Sequence, residues 1–148
     1  MQLRSVNIND AKLLFDWAND DMVRANAFTP EKIEWENHIE WFKKKLKSNK
    51  TKLYILEIDN KPVGQIRLDF EADCWLIDYS IERNERGKGY GKLIIREATA
   101  INENMKLKAI VKSSNTSSQK IFKRLGFVNI SNNKNYTTFI LNPPNFNS

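Results

Sequence analysis

The sequence predicts an α+β fold: a mixed, mostly antiparallel twisted sheet of six to seven strands flanked by about four helices. Three observations lead there. Apolar residues recur at helical spacing in the first third of the chain. Two strand-like runs, 52–58 and 63–70, flank a turn. A third run, 74–81, precedes a glycine-rich loop, a helical stretch at 90–103 and another strand at 107–112, which is the order of a βαβ crossover.

In chain order, residues 2–6 (QLRSV) read as a short strand. Asn9 is placed to cap a helix over 10–19 whose apolar side is Leu13, Leu14 and Trp17. The stretch NDDMVRANAFTPEK carries no period and reads as a loop. Trp35, Ile39, Phe42 and Leu46 predict a second helix over 35–47, with Trp41 beside the stripe. KLYILEI and VGQIRLDF are strands around the turn Asp59-Asn60-Lys61-Pro62. CWLIDYSI is nearly all apolar or aromatic. The helix at 90–103 presents Ile94, Ala98 and Ile101, with Leu93 at the edge of that stripe. LKAIVK reads as a buried strand. A loop and short helix from Asn115 to Leu125 end at Gly126, the glycine of a helix C-cap. Strands at 127–131 and 136–141 surround a turn at 132–135, and NPPNFNS reads as a loose tail. No repeat or linker is visible, so residues 1–148 are read as a single domain.

Composition excludes several classes. One cysteine, Cys74, and one histidine, His38, leave no internal disulfide and no structural zinc set, so no metal is expected. No apolar run reaches the roughly 18 residues of a membrane helix. The start, MQLRSVNIND, lacks the pattern of a signal peptide, and a cytoplasmic protein without a membrane partner is expected. The net charge of +6 suits an anionic partner, or simply a solvated lysine surface; Lys43-Lys44-Lys45 reads as such a helix face. No basic segment is interleaved with aromatics, which argues against nucleic acid.

The chemistry concentrates in IDYSIERNERGKGYGKLII. Gly87, Gly89 and Gly91 let the backbone approach a ligand at the start of a helix. There the free amides and the helix dipole favour a phosphate or pyrophosphate. Arg86, Lys88 and Lys92 add charge of the same sign. The dinucleotide fingerprint would need glycine at 92, which is Lys92. The nucleoside-triphosphate loop would need glycine at 86, which is Arg86, and Ser or Thr at 93, which is Leu93.

RGKGYG at 86–91 resembles the R/Q-x-x-G-x-G/A signature of the GCN5-related N-acetyltransferases, and NTSSQKIFKRLGF resembles that family's following segment in order and spacing. The resemblance implies the family's fold and an acetyl-CoA enzyme. It implies a pyrophosphate site on the amides of Gly87, Lys88, Gly89, Tyr90, Gly91 and Lys92 with Arg86 beside it. The pantetheine arm would run along Tyr79, Ser80 and Ile81 as an added strand. The thioester carbonyl would meet a main-chain N–H near Ile81. Asn115 and Ser118 are implied at the cofactor arm; Asn115 is the alternative positioner of the amine, and Ser118 alternatively caps the helix. Many members carry a tyrosine four residues before the glycine of the GF pair, and its hydroxyl protonates the leaving thiolate. Here that position is Phe122, which packs against the arm but has no proton to give. Tyr79 and Tyr136 are the substitutes to be placed.

Attack on a thioester needs a neutral amine, and a carboxylate can take the proton. Asp78, in an otherwise apolar strand, is the candidate base; the alternatives are a structural pair with Arg67 or an exposed position. DWANDDMVRANAF and ENHIEWFKKKL resemble a narrower subgroup, bacterial acetyltransferases acting on nucleotide-activated amino sugars, as in pseudaminic acid synthesis. Acceptor candidates are Arg24, Asn26, Phe28, His38 and Trp41, with Gln65 and Arg67 sharing one strand face. The expected acceptor is a small-molecule amine, a nucleotide sugar first. Protein N-termini or polyamines are the alternative, and a non-catalytic CoA- or nucleic-acid-binding module is the reading from another class. A homodimer through the final strands is a further expectation.

Overall fold

The computed structural model describes residues 1–144; the part of the tail reading that falls on 145–148 lies outside the described residues. Seven strands form one sheet: β1 (Gln2–Ser5), β2 (Thr51–Ile58), β3 (Lys61–Glu71), β4 (Cys74–Ile81), β5 (Leu107–Lys112), β6 (Val128–Asn132) and β7 (Tyr136–Leu141). Their order is β1-β2-β3-β4-β5-β7-β6, and among the described residues only β4 and β5 pair in parallel. Among the described residues five α-helices accompany them: α1 (Ala11–Ala18), α2 (Asp21–Asn26), α3 (Trp35–Lys47), α4 (Tyr90–Ile101) and α5 (Thr116–Arg124). The expected α+β class and the β4-α4-β5 crossover are both present.

Side chains alternate across a strand, so the sheet builds a core on each face. On one face Tyr54, Leu56, Ile66, Leu68 and Ile77 pack with Ile94, Ile95 and Ala98 of α4 and Phe122 of α5. On the other, Leu53 and Ile55 pack with Ala11, Leu14 and Trp17 of α1 and Phe42 of α3. The β2–β3 turn is tighter than the four-residue reading: Asp59 and Asn60 alone turn the chain, at φ 52° and 65°, and Lys61 and Pro62 already belong to β3.

Three local expectations are corrected. Asn7, not Asn9, caps the first helical turn; its side chain accepts from Asn9 N–H, while Asp10 reaches back to Asn7 N–H at 2.9 Å. The presumed loop after α1 contains α2, a short helix capped by the Asp20 side chain at Met22 and Val23 N–H. Ile101 is exposed, and Ile95 takes the buried position in α4. Gly126 does follow α5 in the left-handed conformation, at φ 91°.

Candidate active site

Strand β4 sets the geometry. Glu82 N–H donates to Val63 O and Trp75 N–H to Lys106 O, each at 2.8 Å. Antiparallel partners alternate between bonded and unbonded pairs. The even residues of β4 therefore bond to β3, and Ile77, Tyr79 and Ile81 turn their main-chain groups toward β5. Pairing with β5 ends at Leu76↔Lys108. Beyond that point the strands part, and Tyr79 and Ile81 present main-chain groups to the opening. Arg86 Nε donates to Ile81 O at 3.1 Å, which leaves the Ile81 N–H aimed into the gap.

Gly64 on β3 lies opposite Ile81. A Cβ there would stand 2.7 Å from Ile81 Cδ1 and 2.8 Å from Ser80 O, so the end of β4 is pressed against a bare backbone.

The glycine loop follows. Gly87 and Gly89 hold φ of 80° and 84°, a region that side-chain-bearing residues avoid. Gly91 serves close packing: a Cβ would meet Ile121 Cδ1 at 3.1 Å and Tyr79 Cε2 at 3.4 Å. The first internal bond at the start of α4 is Leu93 N–H to Gly89 O, 3.2 Å. The amides ahead of it are the unsatisfied donors of a helix start.

The side-chain charges around this loop are less available than the sequence implied. Arg86 Nη2 is bound to Asp20 Oδ2 at 2.8 Å. Lys88 and Lys61 both clamp Glu85, at 2.9 and 2.8 Å; Lys61 first and Lys88 second hold its carboxyl below the usual range. Arg86 and Lys88 thus bring their charge to the loop already engaged in ion pairs. Lys92 is exposed.

A cleft of about 550 Å³ opens on the sheet face covered by α1 and α3 and reaches the parting of β4 and β5. Gln65, Arg67, Asp78 and Ser80 share its floor, since Gln65 pairs with Ser80 and Arg67 with Asp78 across the strands. Gln65 Nε2 donates to Asp78 Oδ2 and Ser80 Oγ, both at 3.2 Å. Arg67 binds Asp69 at 2.7 Å, stands 3.8 Å from Asp78 and lies over the Trp41 ring at 5.0 Å. The buried carboxylate expected at Asp78 is corrected: its side chain is 56% exposed, on the cleft face, while its neighbour Tyr79 turns to the core side.

The roof is α2 and the loop after it. Asn19 ties that loop down through both its amide atoms, bonding Ile33 O and Ile33 N–H at 2.9 and 2.7 Å. Arg24 Nη1 donates to Thr29 O (3.0 Å) and Glu31 O (3.3 Å), while its buried Nε has no partner among the described residues. Asn26 bonds Met22 O, Lys112 bonds Ala25 O, and the exposed Phe28 meets Tyr136 edge-on. His38 departs from the acceptor reading. It is 3% exposed, its Nε2 donates to Ala11 O at 2.9 Å, and its ring packs against Phe15, Trp41 and Phe42. Burial pushes its pKa down despite that bond.

Asn115, Ser118 and Phe122, from α5 and its cap, also line the cleft. Asn115 caps α5, its side chain accepting from Ser118 N–H at 3.3 Å. Phe122 is 1% exposed between Phe127 and Phe139. The Ser118 and Tyr79 hydroxyls meet at 2.5 Å. Sequence reasoning missed Lys112 and Ile110 as cleft residues; the alternation of LKAIVK, which puts both opposite Ala109 and Val111, was the available signal.

Residues 1–128 match the family model described as acetyltransferase (GNAT) domain, and the chain belongs to that family. It is an acetyl-CoA-dependent acetyltransferase domain. Among solved structures it is similar to spermidine N-acetyltransferase from Vibrio cholerae in complex with CoA and spermine, with TM-score 0.87, 16% identity, and coverage of 98% of this chain and 96% of that one. It is also similar to the aminoglycoside acetyltransferase AAC(6')-Ib in complex with coenzyme A (TM-score 0.79, 16% identity, 98% and 95% covered). A third likeness is to an acetyltransferase from Thermus thermophilus (TM-score 0.79, 19% identity, 95% of each chain covered). At these identities the likeness shows the fold. No curated protein matches this chain. The narrower nucleotide-sugar resemblance draws no support from these relatives, whose names speak of polyamine, aminoglycoside or acetyl transfer alone.

Proposed function

We propose that this domain acetylates a primary amine of a small molecule, with the amine delivered to the floor of the cleft at Asp78. One observation carries the reading: the exposed Asp78 carboxylate lines the same cleft that reaches the parted end of β4, where the Ile81 N–H is directed. The opening suits the cofactor. Main-chain groups of Tyr79 and Ile81 match an amide-bearing arm laid beside them as a strand, and the amides of Gly87 to Lys92 match a pyrophosphate. Acetyl-CoA supplies an activated acetyl thioester there. Asp78 takes the proton of the incoming amine, directly or through water. The Ile81 N–H stabilises the negative charge that grows on the carbonyl oxygen. Asn115 and Ser118 line the same cleft and shape the path of the arm.

Small multi-amine acceptors come first, because the cleft is roofed by the pinned α2 loop and because the named relatives are polyamine and aminoglycoside acetyltransferases. A protein N-terminus would need an open channel for a chain. A second reading, an amino sugar bearing phosphates, has its own support: among the described residues, Arg24, Arg67 and Lys112 line the cleft against one carboxylate, that of Asp78. Free-thiol release from acetyl-CoA, measured against spermidine, an aminoglycoside, a short peptide and a nucleotide amino sugar, tests both. Turnover of a polyamine or aminoglycoside supports the first reading. Turnover confined to the phosphate-bearing sugar supports the second. Acetyl-CoA binding without turnover on any amine would leave a binding module.

A further inference from the structure

Phe122 leaves the departing sulfur without the usual proton donor, and the structure places another hydroxyl close by. The Tyr79 ring meets Phe122 edge-on at 6.0 Å between centroids, and its hydroxyl is 2.5 Å from Ser118 Oγ. All three residues line the cleft. The pair sits where α4 and α5 converge, since a Cβ at Gly91 would stand 4.0 Å from the Tyr79 hydroxyl. Tyr79 also shares with Ile81 the strand edge that turns toward the gap. The other tyrosines are less suited. Tyr54 is buried, and its hydroxyl accepts from Asn102 Nδ2 at 3.5 Å. Tyr136 lies against Phe28 at the roof. Tyr90 opens α4 on the glycine-loop side.

We propose that Tyr79 is the proton donor to the CoA sulfur, held in place by Ser118. This rests on the reading of the cleft above. As the carbon–nitrogen bond forms and the carbon–sulfur bond breaks, Tyr79 gives its hydroxyl proton to the sulfur. The tyrosinate is reprotonated through Ser118 from solvent, and the proton that Asp78 took from the amine returns to solvent. Ser118 is fixed in turn by Asn115, whose side chain accepts from its N–H. Burial raises the pKa of Tyr79, with the Ser118 bond working the other way and the charge of Asp78, next to it on β4, adding to the rise. The hydroxyl therefore stays protonated at neutral pH and is present as the donor when the sulfur departs.

The test is calorimetric titration of the protein with free CoA and with desulfo-CoA over a pH series across the thiol's ordinary pKa of about 8.5. A hydroxyl that donates to the thiolate lowers the pKa of the bound thiol. CoA affinity then rises with pH by up to about tenfold per unit, and desulfo-CoA shows no such rise. Tyr79→Phe, which keeps the ring, abolishes the rise without weakening desulfo-CoA. Ser118→Ala keeps the tyrosine and displaces the rise to higher pH. Tyr79→Phe combined with Phe122→Tyr restores it. Identical wild-type profiles for the two ligands, or a rise that survives Tyr79→Phe, overturn the proposal. If Tyr79→Phe fails to fold, an undisplaced rise in Ser118→Ala overturns it. Failure of both ligands to bind would instead overturn the cofactor site itself.

Discussion

Arg86 and Asp20, 66 positions apart in the chain, meet at 2.8 Å and join the cofactor loop to the roof of the cleft. Asp20 also caps α2, and Arg86 also holds the Ile81 carbonyl. One carboxylate thus ties together the start of the roof helix and the end of β4. Asp20→Ala removes both the cap and the ion pair, whereas Asp20→Asn keeps a capping oxygen. The expected order of stability is wild type, Asn, Ala. Cap loss contributes about 1 kcal/mol, or about 2–4 °C in melting temperature for a chain of this size. Equal melting of the two variants would separate the cap from the stability effect.

Gly89→Glu places a carboxylate beside the free amides of the helix start and forces φ of 84° on a side-chain-bearing residue. A Cβ meets nothing within 4 Å, so Gly89→Ala carries the backbone cost alone, about 1–2 kcal/mol. CoA binding by calorimetry is expected to be lost in the Glu variant and retained, though weakened, in the Ala variant. Unchanged affinity in Gly89→Glu would move the pyrophosphate elsewhere.

Asp78→Asn is expected to lower turnover more at neutral pH than at high pH, where the acceptor amine is already neutral and needs no base. A pH–rate profile reads this directly. A uniform loss across pH would assign Asp78 to its contacts with Gln65 and Arg67.

Phe122→Ala is expected to cost about 3–5 kcal/mol, because the ring is buried in the main core. Urea unfolding measures it. A much smaller loss would mean that Phe127 and Phe139 close over the space.

His38 is held neutral by burial, so its pKa lies below the ordinary 6.5. The unfolded chain binds its proton first as pH falls. The stability linked to His38 is complete above about pH 6.5 and is lost progressively below it, down to the folded-state pKa. His38→Gln keeps an N–H donor for Ala11 O and does not titrate. Its denaturation midpoint should lack that part of the acid slope.

The sheet and the βαβ crossover were legible because their signals are local: alternation, a turn and a glycine run. α2 was not legible, because no residue of DMVRAN is buried and the helix stands on the Asp20 cap and its contacts. Asp78 misled for a related reason. CWLIDYSI looks wholly buried, yet one face meets the core of α4 and α5 and the other forms the floor of the cleft. The fates of Arg86 and Lys88 depend on Asp20 and Glu85, and the Arg86 partner is too distant in sequence for spacing to reveal. For His38, the aromatic residues at 35, 41 and 42 favour a packed ring over an acceptor contact.

The bare α-carbon of Gly64 has a consequence for inheritance of activity. Any side chain there would shove the tip of the adjoining strand outward and carry its terminal amide off target. Turnover could then vanish in a descendant sequence whose every ligand-facing group is intact, from one methyl added behind the reacting centre.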